Sequence, residues 1–212
     1  MDTLIQGRFL VDNDINEKNT LKLRYMNYKY DNKLLKICLI PTYNCNLSCS
    51  YCYQKQLDDV GFDYGNENIS KKMLDSLEDY LRGATINRKK LHIEWFGGEP
   101  LLVSDLLINF NYKMKKICEA NDCFYSSSLV TNGYLLNKKL AKRIYKSGTQ
   151  GALITVDGPK DIHNNRRCLK NGEGTYEKII KNIIEISDFF KINIRTNIDK
   201  ENIDHIKTFI HE

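Results

Sequence analysis

No stretch of the chain approaches the roughly 20 consecutive apolar residues of a membrane-spanning helix, so none is expected. The first ten residues, Met1 to Leu10, include Asp2 and Gln6 and lack the apolar core of a secretory signal. The seven cysteines are an odd number and no secretion signal accompanies them, which argues against a disulfide scaffold. A reducing cytoplasm is the expected compartment. Long blocks of like charge are missing too. The 32 basic and 27 acidic residues leave a net charge of +5. Lys89-Lys90, Lys115-Lys116 and Arg166-Arg167 are scattered pairs that read as solvated faces. Neither a nucleic-acid nor a membrane partner is expected from such a pattern. The 42% apolar and 28% charged content is that of a soluble globular chain, and 212 residues suffice for one sizeable core with an extension.

What is present is concentrated. Cys45-Asn46-Leu47-Ser48-Cys49-Ser50-Tyr51-Cys52 places three thiols at a Cys-x₃-Cys-x₂-Cys spacing. Thiolates are soft ligands, and such a cluster in a non-secreted chain points to a metal or iron–sulfur site. Closed sites take four protein ligands. Three local ligands leave one position open, which gives the stretch a catalytic character. Two blander readings compete. The spacing i, i+4, i+7 also suits the buried stripe of a helix, although Pro41 and the Asn and Ser residues disfavour a helix interior. Alternatively, Cys38 supplies a fourth ligand, but it lies in the apolar run Ile37-Cys38-Leu39-Ile40 and reads as a strand residue.

Residues 1–35 read as a small β-rich lead-in. Arg8-Phe9-Leu10-Val11 predicts a short strand, Asp12-Asn13-Asp14 a turn, and the alternation Leu21-Lys22-Leu23-Arg24-Tyr25 a half-buried strand. From Lys36 onward strands and helices alternate. Strands are expected at 36–40, 91–96, 125–131, 152–156 and 192–197. Helices are expected after Ser70, after Ser104, from about Asn137 to Ser147, after Thr175 and near Asn202. Five strand–helix repeats make an α/β fold with a parallel sheet. Ligands of such sheets bind beyond the carboxyl ends of the strands. The cysteines, Gly97-Gly98-Glu99-Pro100, Thr131-Asn132-Gly133 and Asp157-Gly158-Pro159 all fall at such ends.

The cysteine spacing, followed about 45 residues later by Gly97-Gly98-Glu99-Pro100 after a strand, resembles the radical S-adenosylmethionine (SAM) enzymes. Ile154-Thr155-Val156-Asp157-Gly158-Pro159 with His163 and Arg166 is similar to a stretch of peptide- and protein-modifying members, such as sulfatase-maturating enzymes. The resemblance implies a partial (β/α) barrel of about five units. It implies a [4Fe–4S] cluster on Cys45, Cys49 and Cys52, with SAM on the fourth iron. It implies SAM contacts from Tyr51 near the adenine, from Gly97, Gly98 and Glu99 at the methionine part, and from Thr155 at the ribose. Arg195 either meets the SAM carboxylate or pairs within the barrel. Asp157 is either a substrate or cofactor contact, and so the catalytic candidate, or a turn-initiating aspartate. His163 reads as a structural loop residue, and Glu94 stays unassigned between barrel and helix.

The implied activity is reductive cleavage of SAM to methionine and a 5′-deoxyadenosyl radical that takes hydrogen from a substrate. The implied partners are a peptide or protein substrate and an electron donor such as a flavodoxin or ferredoxin. The core is expected over 36–212. It carries five units where such relatives have six, and no SPASM-type cysteines follow Cys168. It therefore reads as incomplete at its C-terminal end. The non-enzyme alternatives are an iron–sulfur or zinc module, or a truncated homologue that binds a peptide.

Overall fold

The computed structural model describes residues 15–31, 33–54, 68–205 and 209. Five parallel strands, β1 (Leu34–Leu39), β2 (Lys90–Trp95), β3 (Phe124–Thr131), β4 (Thr149–Thr155) and β5 (Lys191–Arg195), lie in the order β1-β2-β3-β4-β5. Strands that neighbour one another in sequence order, joined by right-handed crossovers, place the connecting helices on one face. That is the partial (β/α) barrel expected from the five repeats. The helices are α1 (Glu17–Lys29), α2 (Lys71–Ala84), α3 (Ser104–Ala120), α4 (Lys138–Ser147), α5 (Lys160–Arg166) and α6 (Tyr176–Ile186).

Alternation along β2 separates the two faces of the sheet. Leu91, Ile93 and Trp95 are fully buried and pack with Leu107, Phe110 and Met114 of α3 in the main core. His92 and Glu94 face the other way and are only partly buried. The ends of α2 and α4 follow from their residues. Ser70 accepts the Met73 N–H at 3.2 Å, and Asn137 accepts the Leu140 N–H at 2.9 Å. Gly148 closes α4 in a left-handed conformation at φ +116°.

The lead-in departs from expectation. Leu21–Tyr25 lies inside α1, not in a strand. The segment is rich in Leu, Lys, Arg and Met, which lose little entropy in a helix, and Asn16 supports the first turn by accepting the Asn19 N–H at 3.0 Å. A five-residue alternation is too short to override that preference without a strand to pair with. The strand expected at Arg8–Val11 and the turn at Asp12–Asp14 lie outside the described residues. Three local details also differ. α2 continues through Gly83 to Ala84. Ser104 is the first residue of α3 rather than its cap, because a 3₁₀ turn, Pro100–Val103, runs straight into it. Residues 160–166 form α5, which the periodicity does not predict. Near Asn202 the described residues show a 3₁₀ turn, Ile203–His205. Among the described residues no helix is long and apolar enough to cross a membrane.

Candidate functional site

The cysteine stretch leaves β1 as an irregular loop above the carboxyl end of the sheet and is held from two sides. On one side the Gly98 N–H donates to the Thr42 carbonyl at 3.1 Å and the Glu99 N–H to the Asn44 carbonyl at 2.8 Å. On the other, the Ser48 N–H donates to the Cys168 carbonyl at 2.8 Å and the Ser50 N–H to that of Arg166 at 3.0 Å. The helix-stripe reading of the cysteines is therefore corrected, since Pro41 and the polar residues keep the segment open. Cys38 stands on β1 abreast of Glu94, below the loop, and does not join the three thiols in lining the site. That removes the four-cysteine alternative.

Cys45, Cys49 and Cys52 line one cavity of ≈ 180 Å³. Its remaining wall brings together Tyr51, Gly97, Gly98, Thr155 and Arg195, as the sequence predicts, and adds Arg167 and Asn132. Two N–H groups point at the Cys45 sulfur, the Leu47 amide at 3.4 Å and the Asn132 Nδ2 at 3.9 Å. Such donors suit a thiolate that ligates a metal. Burial pushes the Cys49 thiol up to about 11, opposed by the neighbouring Arg167 guanidinium. Burial likewise raises the Cys45 thiol. A metal reverses this by replacing the protons. Among the described residues no three His, Cys, Asp or Glu side chains already stand in a metal-holding group. Three soft donors share one wall, their sulfurs flanked by N–H groups and a guanidinium, and that donor set fits an iron–sulfur cluster better than a hard cation.

Glu99 does not line the cavity. It is fully buried, and its carboxylate accepts from the Leu101 N–H at 3.0 Å, Thr131 Oγ1 at 2.7 Å and the Asn132 N–H at 2.8 Å. Burial raises its pKa, while those donors and Arg167 oppose the rise. Its place is a rivet between the β2 and β3 loops. Gly97 and Gly98 are demanded by the protein itself. A Cβ on Gly98 would lie 2.3 Å from the Asn44 carbonyl oxygen, and one on Gly97 would lie 2.5 Å from that of Thr42. Their lack of a side chain lets the two rim loops touch.

Asp157 is also buried and does not line the cavity. Its carboxylate accepts from the Tyr51 hydroxyl and from the Asn197 N–H, the latter at 2.9 Å. Arg167 Nη1 donates to the same hydroxyl at 2.7 Å, and the Arg166 guanidinium lies 5.0 Å from the Tyr51 ring centroid. Burial pushes the Tyr51 hydroxyl up to about 12. The tyrosine before the third cysteine is thus locked to the β4 end by an aspartate and two arginines. His163 is buried as a structural residue, with Nδ1 3.3 Å from the Asp157 amide and Nε2 3.1 Å from the Thr175 hydroxyl.

The pair Arg166-Arg167 is not a solvated face, because the two side chains are 4% and 7% exposed. Arg166 grips Asp199 with two nitrogens at 2.8 and 3.0 Å. Arg167 forms no ion pair among the described residues, and its Nε is buried with no partner. A buried guanidinium in that state calls for an anion from the cavity. Sequence reasoning missed it because antiparallel contact between Leu47 and Leu169, distant in sequence, delivers it to the site. Its place after Asp157-Gly158-Pro159 was the one local hint.

A family profile described as the radical SAM superfamily matches residues 39–212. A cysteine-type anaerobic sulfatase-maturating enzyme of Clostridium novyi (strain NT) is 32% identical over 168 residues, 77% of this chain and 43% of that protein. A GTP 3′,8-cyclase of Clostridium perfringens (strain SM101 / Type A) is 28% identical over 193 residues, 80% of this chain and 52% of that protein. Among solved structures, native anSMEcpe with bound AdoMet and Cp18Cys peptide superposes with a TM-score of 0.68 at 21% identity, covering 84% of this chain and 46% of that one. The chain spans about half the length of these relatives.

Proposed function

The chain belongs to the radical SAM superfamily, whose enzymes use a [4Fe–4S] cluster and SAM, and from that premise we propose that its cavity serves SAM cleavage in the maturation of a peptide or protein. Cys45, Cys49 and Cys52 are the ligands for the cluster. When bound, cluster and SAM supply one-electron cleavage of the sulfonium and hydrogen abstraction from a substrate. The protein's own residues orient and insulate. Tyr51, fixed by Asp157 and Arg167, presents its ring at the cavity wall. Gly97 and Gly98 line the same cavity, and the Thr155 hydroxyl accepts from Arg195 Nη2 at 3.3 Å. Arg167 meets the carboxylate of the methionine part, a role left to it by its orphaned Nε. Asp157 serves as a positioning residue through Tyr51 rather than as a catalyst.

One observation carries the reading: three thiols and a buried guanidinium that has no ion pair among the described residues, its Nε without a partner, line the same small cavity. The peptide class is supported by the maturase among the relatives and by the peptide bound in the structural neighbour. A flavodoxin- or ferredoxin-type donor in a reducing cytoplasm completes the proposal. Anaerobic reconstitution with iron and sulfide is expected to give about four irons per chain, and dithionite with SAM is expected to yield 5′-deoxyadenosine. Cys45→Ala, Cys49→Ala and Cys52→Ala each abolish both. Stoichiometric tetrahedral zinc, or reconstituted protein that yields no deoxyadenosine, overturns it.

A further inference from the structure

Beneath the cysteine cavity the inner face of the sheet opens into a second cavity of ≈ 330 Å³, and Val130 walls both. Closed (β/α) barrels fill this space with bulky branched side chains. Here Ser128 and Gly151 leave it open, and its lining mixes polar side chains such as His92 and Asn193 with apolar ones such as Leu153. Glu94 is the one acid among the described residues lining either cavity, and Lys36 already neutralises it at 3.2 Å. β5 supplies the opposite charge. Lys191 and Asn193 line the lower cavity and Arg195 the upper, abreast of Gly151, Leu153 and Thr155 of β4. Among the described residues neither Lys191 nor Arg195 has an ion-pair partner. Lys191 and Arg195 are four strand residues apart on one face, about 13 Å at a rise near 3.3 Å per residue.

We infer that β5 sets substrate specificity: an extended segment lies along its inner face with an acidic side chain at Lys191, about four residues from the residue that reaches the upper cavity. The inference rests on the peptide reading above. The geometry matches because an extended peptide rises at the same rate per residue as the strand beside it. The charge matches because the wall, among the described residues, carries cations without ion-pair partners and no unpaired anion. Lys191 acts on binding alone, since it lies a full cavity below the thiols.

The probes are short fluorescein-labelled peptides of Ala, Ser and Gly with one Cys, carrying Glu, Gln or Lys at both positions four residues from it. Anisotropy is read on the reconstituted, SAM-saturated protein. The Glu peptide is expected to bind about two- to fivefold more tightly than the Gln peptide, the range of a partly exposed ion pair. Lys191→Gln erases that preference, Lys191→Glu turns it toward the Lys peptide, and both keep the SAM affinity of the parent by calorimetry. Equal binding of the three peptides, binding of none, or a Glu preference that survives Lys191→Gln overturns the inference. Any of these in a protein that still cleaves SAM strikes β5 specificity alone. Absence of SAM cleavage strikes the preceding reading, and this inference with it.

Discussion

At the scale of single residues, the rim of the sheet is tied together by side chains that never touch the cavity. Glu99 joins the β2 and β3 loops, Asp157 joins β4 to Tyr51, and His163 joins β4 to the loop before α6. His163 also gives the fold a pH dependence. Burial, with Arg167 beside it, lowers its pKa from the usual 6.5 to about 4, against a smaller opposing pull from Asp157. The folded state therefore keeps the ring neutral where the unfolded chain protonates it. Its contribution is fully present above pH 6.5 and is lost as the pH falls toward 4, by roughly 3 kcal/mol in total. Urea midpoints at pH 7, 5.5 and 4.5 should fall for the parent protein. They should fall less for His163→Asn, which starts lower but has no imidazole to protonate. Parallel slopes for the two proteins would refute this role.

At the scale of elements, the two glycine-bearing sites make opposite demands. Gly98 is pressed against the backbone of the cysteine loop, with a Cβ position 2.4 Å from the Tyr43 oxygen. Gly83 sits in the last turn of α2, with nothing within 4 Å of an added Cβ. Gly98→Ala should cost about 2 kcal/mol or more, since backbone cannot yield as a side-chain tip does. Gly83→Ala should gain about 0.5–1 kcal/mol from lost unfolded-state freedom. Denaturant midpoints check both, and a Gly98→Ala protein as stable as its parent would show that the loop contact is dispensable.

The same contrast explains what was legible in the sequence. Gly97-Gly98-Glu99-Pro100 announces a rim loop after a strand, because both the strand pattern and the glycines are local. The periodicities of α3, α4 and α6, with a cap at Asn137, are local too. The helical state of Leu21–Tyr25 was hidden because a short alternation satisfies either periodicity. α5 was hidden because it has only seven residues and no side-chain cap bond. Glu99 looked like a ligand contact because its partners Thr131 and Asn132 lie more than thirty residues away. Nothing local distinguishes a carboxylate that binds a ligand from one consumed by neighbouring loops.

At the scale of the whole molecule, every residue lining the upper cavity lies between Cys45 and Arg195. The wall described is assembled from the ends of all five strands, β1 through its cysteine loop, and the segment at Arg167. Among the described residues its fixed charges are Arg167 and Arg195, and no described lining residue of that cavity is an acid. Among the described residues a zwitterionic amino-acid moiety therefore finds a ready partner for its carboxylate but none for its amino group, which would serve as a metal ligand only after its ammonium gives up a proton to solvent. The 212-residue chain, reconstituted anaerobically, is accordingly expected to bind SAM without added sequence. Arg167→Gln should weaken that binding about ten- to a hundredfold, the worth of a charged hydrogen bond in a buried site. Arg167→Lys should recover part of the loss by restoring the charge without the fork. Decarboxylated SAM provides the decisive arm, because it lacks the group that Arg167 is argued to hold. Calorimetry should find it bound equally by the parent and by Arg167→Gln. If the variant discriminates against both ligands alike, Arg167 shapes the wall through Tyr51 and does not meet the carboxylate.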